Sequence, residues 1–191
     1  IAEAGHEIGS HGLYHTQIFK LNQQQFRSEI TESRKLLEDI TSATVLGYRA
    51  AAFSITPQTK WALEVLAEQG FTYDSSIFPI AGRRYGWPGF SKRICNLNLP
   101  GGGSIVEVPL STVRILGKDW PVGGGGYLRH LPYGITRWAL KRIQKQRPAV
   151  VYIHPYEIDT EPIALDAGEL SYKKQKDALK HHKMQLRNRN T

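Results

Sequence analysis

Cysteine and methionine are almost missing from this chain, with one of each in 191 residues. The lone Cys95 cannot form an internal disulfide, a CxxC redox pair or a zinc knuckle, so cysteine chemistry is an unlikely basis for function. Long apolar runs are missing too: nothing approaches the roughly 18 residues a membrane span needs. No repeat of fixed period is visible. The glycine tracts Gly101 to Gly103 and Gly123 to Gly126 lack a following Lys-Ser/Thr, which points to turns and tight packing rather than a phosphate-binding loop. The chain opens on Ile1, and its first ten residues lack the basic-then-apolar pattern of a secretory signal. We read it as a fragment and leave its compartment open between cytoplasm and cell envelope.

What is present is ordinary for a globular protein: 40% hydrophobic and 22% charged residues, in a length that holds one domain with a buried core. The net charge of +8 is unevenly spread, since residues 173 to 191 hold seven Lys or Arg against one Asp and so carry +6 of it. A solvated helix or disordered tail explains such a run, and a polyanion-binding arm is the alternative. The organisation expected is a domain over 1–160 and a basic tail over 161–191.

Phe26, Ile30, Leu36, Leu37 and Ile40 recur near a period of 3.6, which predicts an amphipathic helix from Asn22 to Ile40. Thr56 before Pro57 starts a second helix whose apolar face is Trp61, Val65 and Leu66, with Gly70 as its stop. Short β-branched or aromatic runs at Val45 to Tyr48, Phe71 to Asp74, Ile105 to Leu110 and Ala149 to His154 read as strands. This alternation predicts an α/β domain with a largely parallel sheet or barrel, whose functional groups gather at strand carboxyl ends. Arg49, Asp74 and His154 stand at such ends. From about 78 to 132 the composition shifts toward Gly, Pro and aromatics, as an inserted or appended region with some strand of its own. A further helical pattern runs from Tyr133 to Arg147 and stops at Pro148.

Three histidines fall within ten residues in Gly5-His6-Glu7-Ile8-Gly9-Ser10-His11-Gly12-Leu13-Tyr14-His15. On a helical turn the four-residue spacing of His11 and His15 places both imidazoles on one face, as adjacent ligands of a divalent metal, although an HxxxH also occurs by coincidence. The HExxH reading fails, because Ser10 stands four residues after His6. His154 ends an apolar run and would face whatever lies above the sheet. Asp74 could pair with an imidazole and fix its tautomer, and Arg49 could bind a carboxylate or oxyanion through its planar fork. Strand-end Arg and Asp also often simply pair with each other.

Together these segments resemble polysaccharide deacetylases of the NodB-homology type. GHEIGSHGLYH is similar to the second motif of that family, GYRAAAFS to the third, TYDSSIFP to the fourth and VVYIHP to the fifth, in order from residue 5 to 155. YGWPGF, IVEVPLS, PVGGGGYLRHLPY and HPYEID resemble the downstream region of exosortase-associated exopolysaccharide deacetylases. The resemblance implies a distorted (β/α) barrel and metal-dependent hydrolysis of N-acetyl groups on a bacterial polysaccharide. It makes His11 and His15 metal ligands, with zinc the default among the divalent metals that suit imidazole. It gives Arg49 the task of orienting the catalytic base, Asp74 that of supporting His154, and His154 that of protonating the departing amine. Tyr48 and Phe53 would line the sugar groove, although packing into the core is an equal alternative for both.

The partner implied is an N-acetylated polysaccharide, with no nucleic acid and no membrane span. Two departures from the family are visible. Its aspartate-rich first motif, the source of the third ligand and the base, is expected before Ile1 together with the first strand, and Ala51 stands where the family has proline. A non-catalytic carbohydrate-binding relic of the same fold is therefore the alternative to an enzyme.

Overall fold

The computed structural model describes residues 1–82 and 85–157; the basic tail lies outside them. Helix α1 (Gln23–Thr41) begins where the sequence places it, because Asn22 and Gln25 form a reciprocal capping box: each side chain accepts from the other's backbone amide, at 2.8 and 3.0 Å. Its buried side differs from the expected one. Phe26, Glu29, Ile30 and Ser33 are buried, whereas Leu36 is 49% and Ile40 72% exposed. The helix leaves the sheet toward its end, and two polar side chains take inward positions further up.

Thr56 and Thr59 cap a short 3₁₀ turn at Pro57–Thr59 that leads into α2 (Trp61–Glu68). Ala62, Leu63, Val65 and Leu66 are buried in α2, while Trp61 lies at the edge of the same cluster. Helices α1 and α2 pack together, and the Arg34 guanidinium caps the end of the second by donating to the Gln69 carbonyl at 2.6 Å.

The main sheet has the order β1-β2-β4-β3, formed by β1 (Gly47–Tyr48), β2 (Tyr73–Asp74), β3 (Cys95–Asn98) and β4 (Ser104–Glu107). Strands β1, β2 and β4 are parallel, and β3 returns antiparallel to β4. Ser10 adds a parallel bridge to Tyr48, so the histidine-bearing segment lies alongside β1. Helix, strand, helix and strand thus build the α/β arrangement that the sequence pattern predicts. Its core joins Ile18, Phe26 and Ile30 to Val45, Leu66, Phe71 and Ile105. The Gly- and Pro-rich region is woven into this frame, since it supplies β3 and the third parallel strand, β4.

A hairpin of β5 (Thr112–Ile115) and β6 (Lys118–Pro121) forms a second sheet. It is followed by the short α3 (Gly125–His130) and by α4 (Tyr133–Gln144). Val113 and Val122 of the hairpin region pack against Ala139 and Ile143 of α4.

The run from 149 to 154 does not form the buried strand expected of it. It makes one parallel bridge, Tyr152 to Gly124, and Val151 and Ile153 are 45% and 50% exposed. Only one edge of this segment finds a backbone partner among the described residues, so alternate side chains remain in solvent. The bridge explains part of the glycine tract: a Cβ on Gly124 would lie 1.7 Å from the Tyr152 ring. No helix of the described residues is long and apolar enough to cross a membrane.

Candidate active site at the carboxyl ends of β1 and β2

The loop bearing His11 and His15 is an irregular turn, not the helical turn that their spacing suggests. Gly12 reverses the chain at φ +80°, and His15 itself takes φ +54°, a left-handed conformation uncommon for a residue with a Cβ. The two imidazoles nevertheless meet edge to face, with centroids 5.0 Å apart. Helix α1 holds the turn from below. The amides of Leu13 and Tyr14 donate to Glu29 Oε1 at 3.1 and 3.3 Å, and the Ser10 and Ser33 hydroxyls lie 2.9 Å apart. A Cβ on Gly12 would come within 2.9 Å of the same Glu29 oxygen.

Backbone pairing with β1 sets the register of this loop. The Ser10 amide donates to the Gly47 carbonyl at 2.8 Å, and the Arg49 amide donates to the Ser10 carbonyl at 2.9 Å. His11 Nδ1 thereby comes 2.6 Å from the Arg49 carbonyl oxygen. A carbonyl only accepts, so Nδ1 carries the hydrogen and Nε2 keeps its lone pair, the tautomer a metal ligand needs. His11 keeps a solvent-exposed edge, yet enough protein surrounds the ring for desolvation to pull its pKa below the usual histidine value. The His15, Arg49 and His154 charges lower it further. The neutral ring is favoured.

Arg49 follows β1 directly and is half-buried. Its Nε donates to the Ser75 carbonyl at 2.9 Å and its Nη2 to Ser75 Oγ at 2.8 Å. Ser75 passes its own hydrogen to the Val108 carbonyl at 2.8 Å, which ties the guanidinium to the end of β4. Burial lowers the Arg49 pKa and the Asp74 charge opposes that shift.

Asp74, at the end of β2, is fully buried. Its carboxylate accepts from the Ser76 amide at 3.0 Å and the Ser76 hydroxyl at 2.5 Å, and it hydrogen-bonds to Glu107. Asp74 and Glu107 are direct partners across the β2–β4 pair. Glu107 Oε1 accepts from the Ile77 amide at 3.0 Å, while Oε2 has no protein donor besides this carboxyl contact. Burial first, and for Glu107 the Asp74 charge second, raises both carboxyl pKa values, so the two groups share a proton.

His154 has an acidic neighbour in its own turn. His154 Nδ1 stands 3.5 Å from Glu157 Oε2, and the same oxygen accepts from the His154 amide at 2.9 Å. The sequence gives no sign of this, because it depends on the 3₁₀ turn at Pro155–Glu157 that folds Glu157 back. The His154 side chain is half exposed rather than presented by a buried strand. Its ring lies 6.0 Å from that of Tyr152, which in turn lies 4.8 Å from Phe53.

The two expected sugar-facing aromatics part company. Tyr48 is 3% exposed and packs against Phe26 and Phe71. Burial, followed by the charges of Asp74 and Glu29, raises its phenol pKa. With its ring enclosed, Tyr48 is a core residue and offers no face to a sugar. Phe53 is half-buried and belongs to a cluster with Phe78, Tyr85 and Tyr152.

The structure thus gathers His11, His15 and Arg49 around one strand end, with Asp74 beneath and His154 within electrostatic reach of His11. Among the described residues, no group of three His, Cys, Asp or Glu side chains is arranged to hold a metal. The tautomer of His11 and its neutral tendency are those a metal ligand would need. The sequence reading missed Glu29, Ser33, Ser75 and Glu107. A carboxylate within the apolar run Ile105-Val106-Glu107-Val108 was the available signal for Glu107.

Comparison with known proteins matches residues 1–73 to the family "Polysaccharide deacetylase" and residues 75–189 to "Domain of unknown function (DUF3473)". A peptidoglycan deacetylase of Helicobacter pylori is 32% identical over 77 residues, which is 40% of this chain and 25% of that protein. A Mycobacterium smegmatis structure described as a polysaccharide deacetylase aligns with TM-score 0.55 and 20% identity, over 97% of this chain and 58% of the other. One from Pseudomonas aeruginosa, described likewise, aligns with TM-score 0.52 and 16% identity, over 79% and 47%. At such identities the structural likeness speaks for the fold. The chain spans about a quarter of the length of the curated relative and about half of the solved structures. The chain belongs to the family "Domain of unknown function (DUF3473)", which spans residues 75–189, and its first 73 residues match the polysaccharide deacetylase family.

Proposed function

We propose that this chain provides part of the active site of a metal-dependent deacetylase that hydrolyses N-acetyl groups from the amino sugars of a bacterial exopolysaccharide. The observation that carries the reading is the His11–His15 pair, held edge to face with His11 Nδ1 bound to the Arg49 carbonyl. His11 and His15 would hold a divalent cation, zinc by default. When bound, the cation supplies polarisation of the acetyl carbonyl and acidification of the attacking water.

The remaining chemistry falls to side chains. Water adds to the acetyl carbonyl, the C–N bond of the tetrahedral adduct breaks, and acetate and a sugar amine leave. His154, as the imidazolium with Nδ1–H toward Glu157, gives its Nε2 proton to the departing nitrogen and returns to the neutral ring. Arg49, fixed by Ser75, orients the base, which the family resemblance assigns to an aspartate of the first motif. Phe53 presents the partly exposed aromatic face that a sugar ring would use.

Acetate release from an N-acetylglucosamine oligomer tests this reading. It should require added metal, stop with a chelator, and fall by about 10²- to 10⁴-fold in His154→Ala, the usual loss for a general acid. The second reading, a carbohydrate-binding relic, is favoured by the two-ligand set among the described residues. Oligomer binding without acetate release under every metal condition would select it.

A further inference from the structure

Beneath the β5–β6 hairpin, where it packs on α4, lies a cavity of about 210 Å³ to which the proposed deacetylation assigns no role. Its lining includes Lys92, Arg114, Arg142 and Arg147, together with Thr112 and Gln146. Four cations thus converge on a space well below the roughly 300–1,000 Å³ of sites for drug-sized ligands. Such a cavity admits one compact group, not a sugar chain.

Further observations bear on what that group is. The cavity wall includes Thr112, which is 1% exposed and whose Oγ1 is closed off from solvent. Arg147 is fixed by donating from Nη2 to the Thr112 carbonyl at 2.7 Å, which brings its guanidinium beside that hydroxyl's residue. Desolvation, then repulsion from Arg93, lowers the Arg147 pKa, and the Asp119 charge opposes the shift. Among the described residues, Asp119 is the one carboxylate paired with these cations. It binds Lys92 and reaches Arg114 at 3.7 Å. Arg142 is steadied over the Trp138 ring, 5.8 Å from its centroid.

We infer that this cleft is a binding site for a compact oxyanion, a phosphate or carboxylate group, received by the guanidinium forks of Arg114, Arg142 and Arg147. The forks match the planar geometry of such oxyanions and present several donors at once. The site lies wholly within the region matched by the domain of unknown function. It stands or falls independently of the deacetylase reading.

Titration of inorganic phosphate, and separately of glucuronate, into the full chain at low ionic strength tests the inference by calorimetry. Saturable binding of either anion is expected. Arg114→Gln combined with Arg142→Gln removes two exposed side chains and should weaken binding at least tenfold with an unchanged melting temperature. Preference for glucuronate would identify a sugar carboxylate as the natural group, and preference for phosphate a phosphoryl group. Binding that stays within twofold in the double variant, as attraction to the basic tail would give, overturns the site. So does absence of binding for both anions.

Discussion

Replacing Glu107 by glutamine keeps the side chain's shape and its acceptor for the Ile77 amide while removing the charge beside Asp74. Both carboxyl pKa values are raised in the folded protein, so the native state holds protons that the unfolded chain releases. The stability this contributes is full below the ordinary carboxylate range and is lost as pH rises through the raised values. The melting temperature of Glu107→Gln relative to the native protein should therefore increase from pH 5 to pH 8. Each pKa unit is worth about 1.4 kcal/mol, and about 1 kcal/mol moves the midpoint of a chain this size by roughly 2–4 °C. A difference that stays flat with pH would show that the pair does not share a proton. At this scale the sequence was uneven. Arg49, Asp74 and His154 stood out as polar residues ending apolar runs, whereas the partner of His154 depended on a turn that puts Glu157 back against it. Tyr48 looked like a groove residue because a tyrosine beside Arg49 reads the same whether its ring points inward or outward.

Helix α1 is the element that joins the core to the histidine turn. Its apolar side chains anchor it: Ile30 is fully buried in the main cluster, and Ile30→Ala should cost about 2–5 kcal/mol, read as a lowered denaturation midpoint. Its polar side chains act differently. Glu29→Ala would leave the Leu13 and Tyr14 amides without their acceptor and let the His11–His15 turn relax. Metal affinity in Glu29→Ala should fall about 10- to 100-fold, the usual effect of losing support behind metal ligands, with Glu29→Gln retaining most of it. Equal metal affinity in native and Glu29→Ala protein would remove Glu29 from the site. The start of α1 was legible from Asn22, and the start of the second helix from Thr56-Pro57, because capping is a local property. Which face is buried was less so. The 3.6 period placed Leu36 and Ile40 with Phe26 and Ile30, but α1 outruns the sheet it packs on.

For the whole molecule, the alternation of helical and β-rich segments carried the α/β architecture, since parallel strands need crossovers and the chain supplies them in order. Two features escaped because they depend on distant partners. Strand β4 joins β2 across a long Gly- and Pro-rich connection that reads as an insertion, and the run from 149 to 154 is strand-like in composition yet makes one bridge, to Gly124, among the described residues. The basic tail adds most of the net charge and lies outside the described residues.

The central claim, that His11 and His15 serve a deacetylase together with His154, is tested most directly by metal-dependent acetate release from an N-acetylglucosamine oligomer. The assay is run on this chain alone and with the family's aspartate-bearing first motif added ahead of Ile1. Release that appears with the added motif, depends on metal, and is lost in His11→Ala and His154→Ala is the predicted result. Release that persists in either variant, or no release with the motif and metal both supplied, would contradict it.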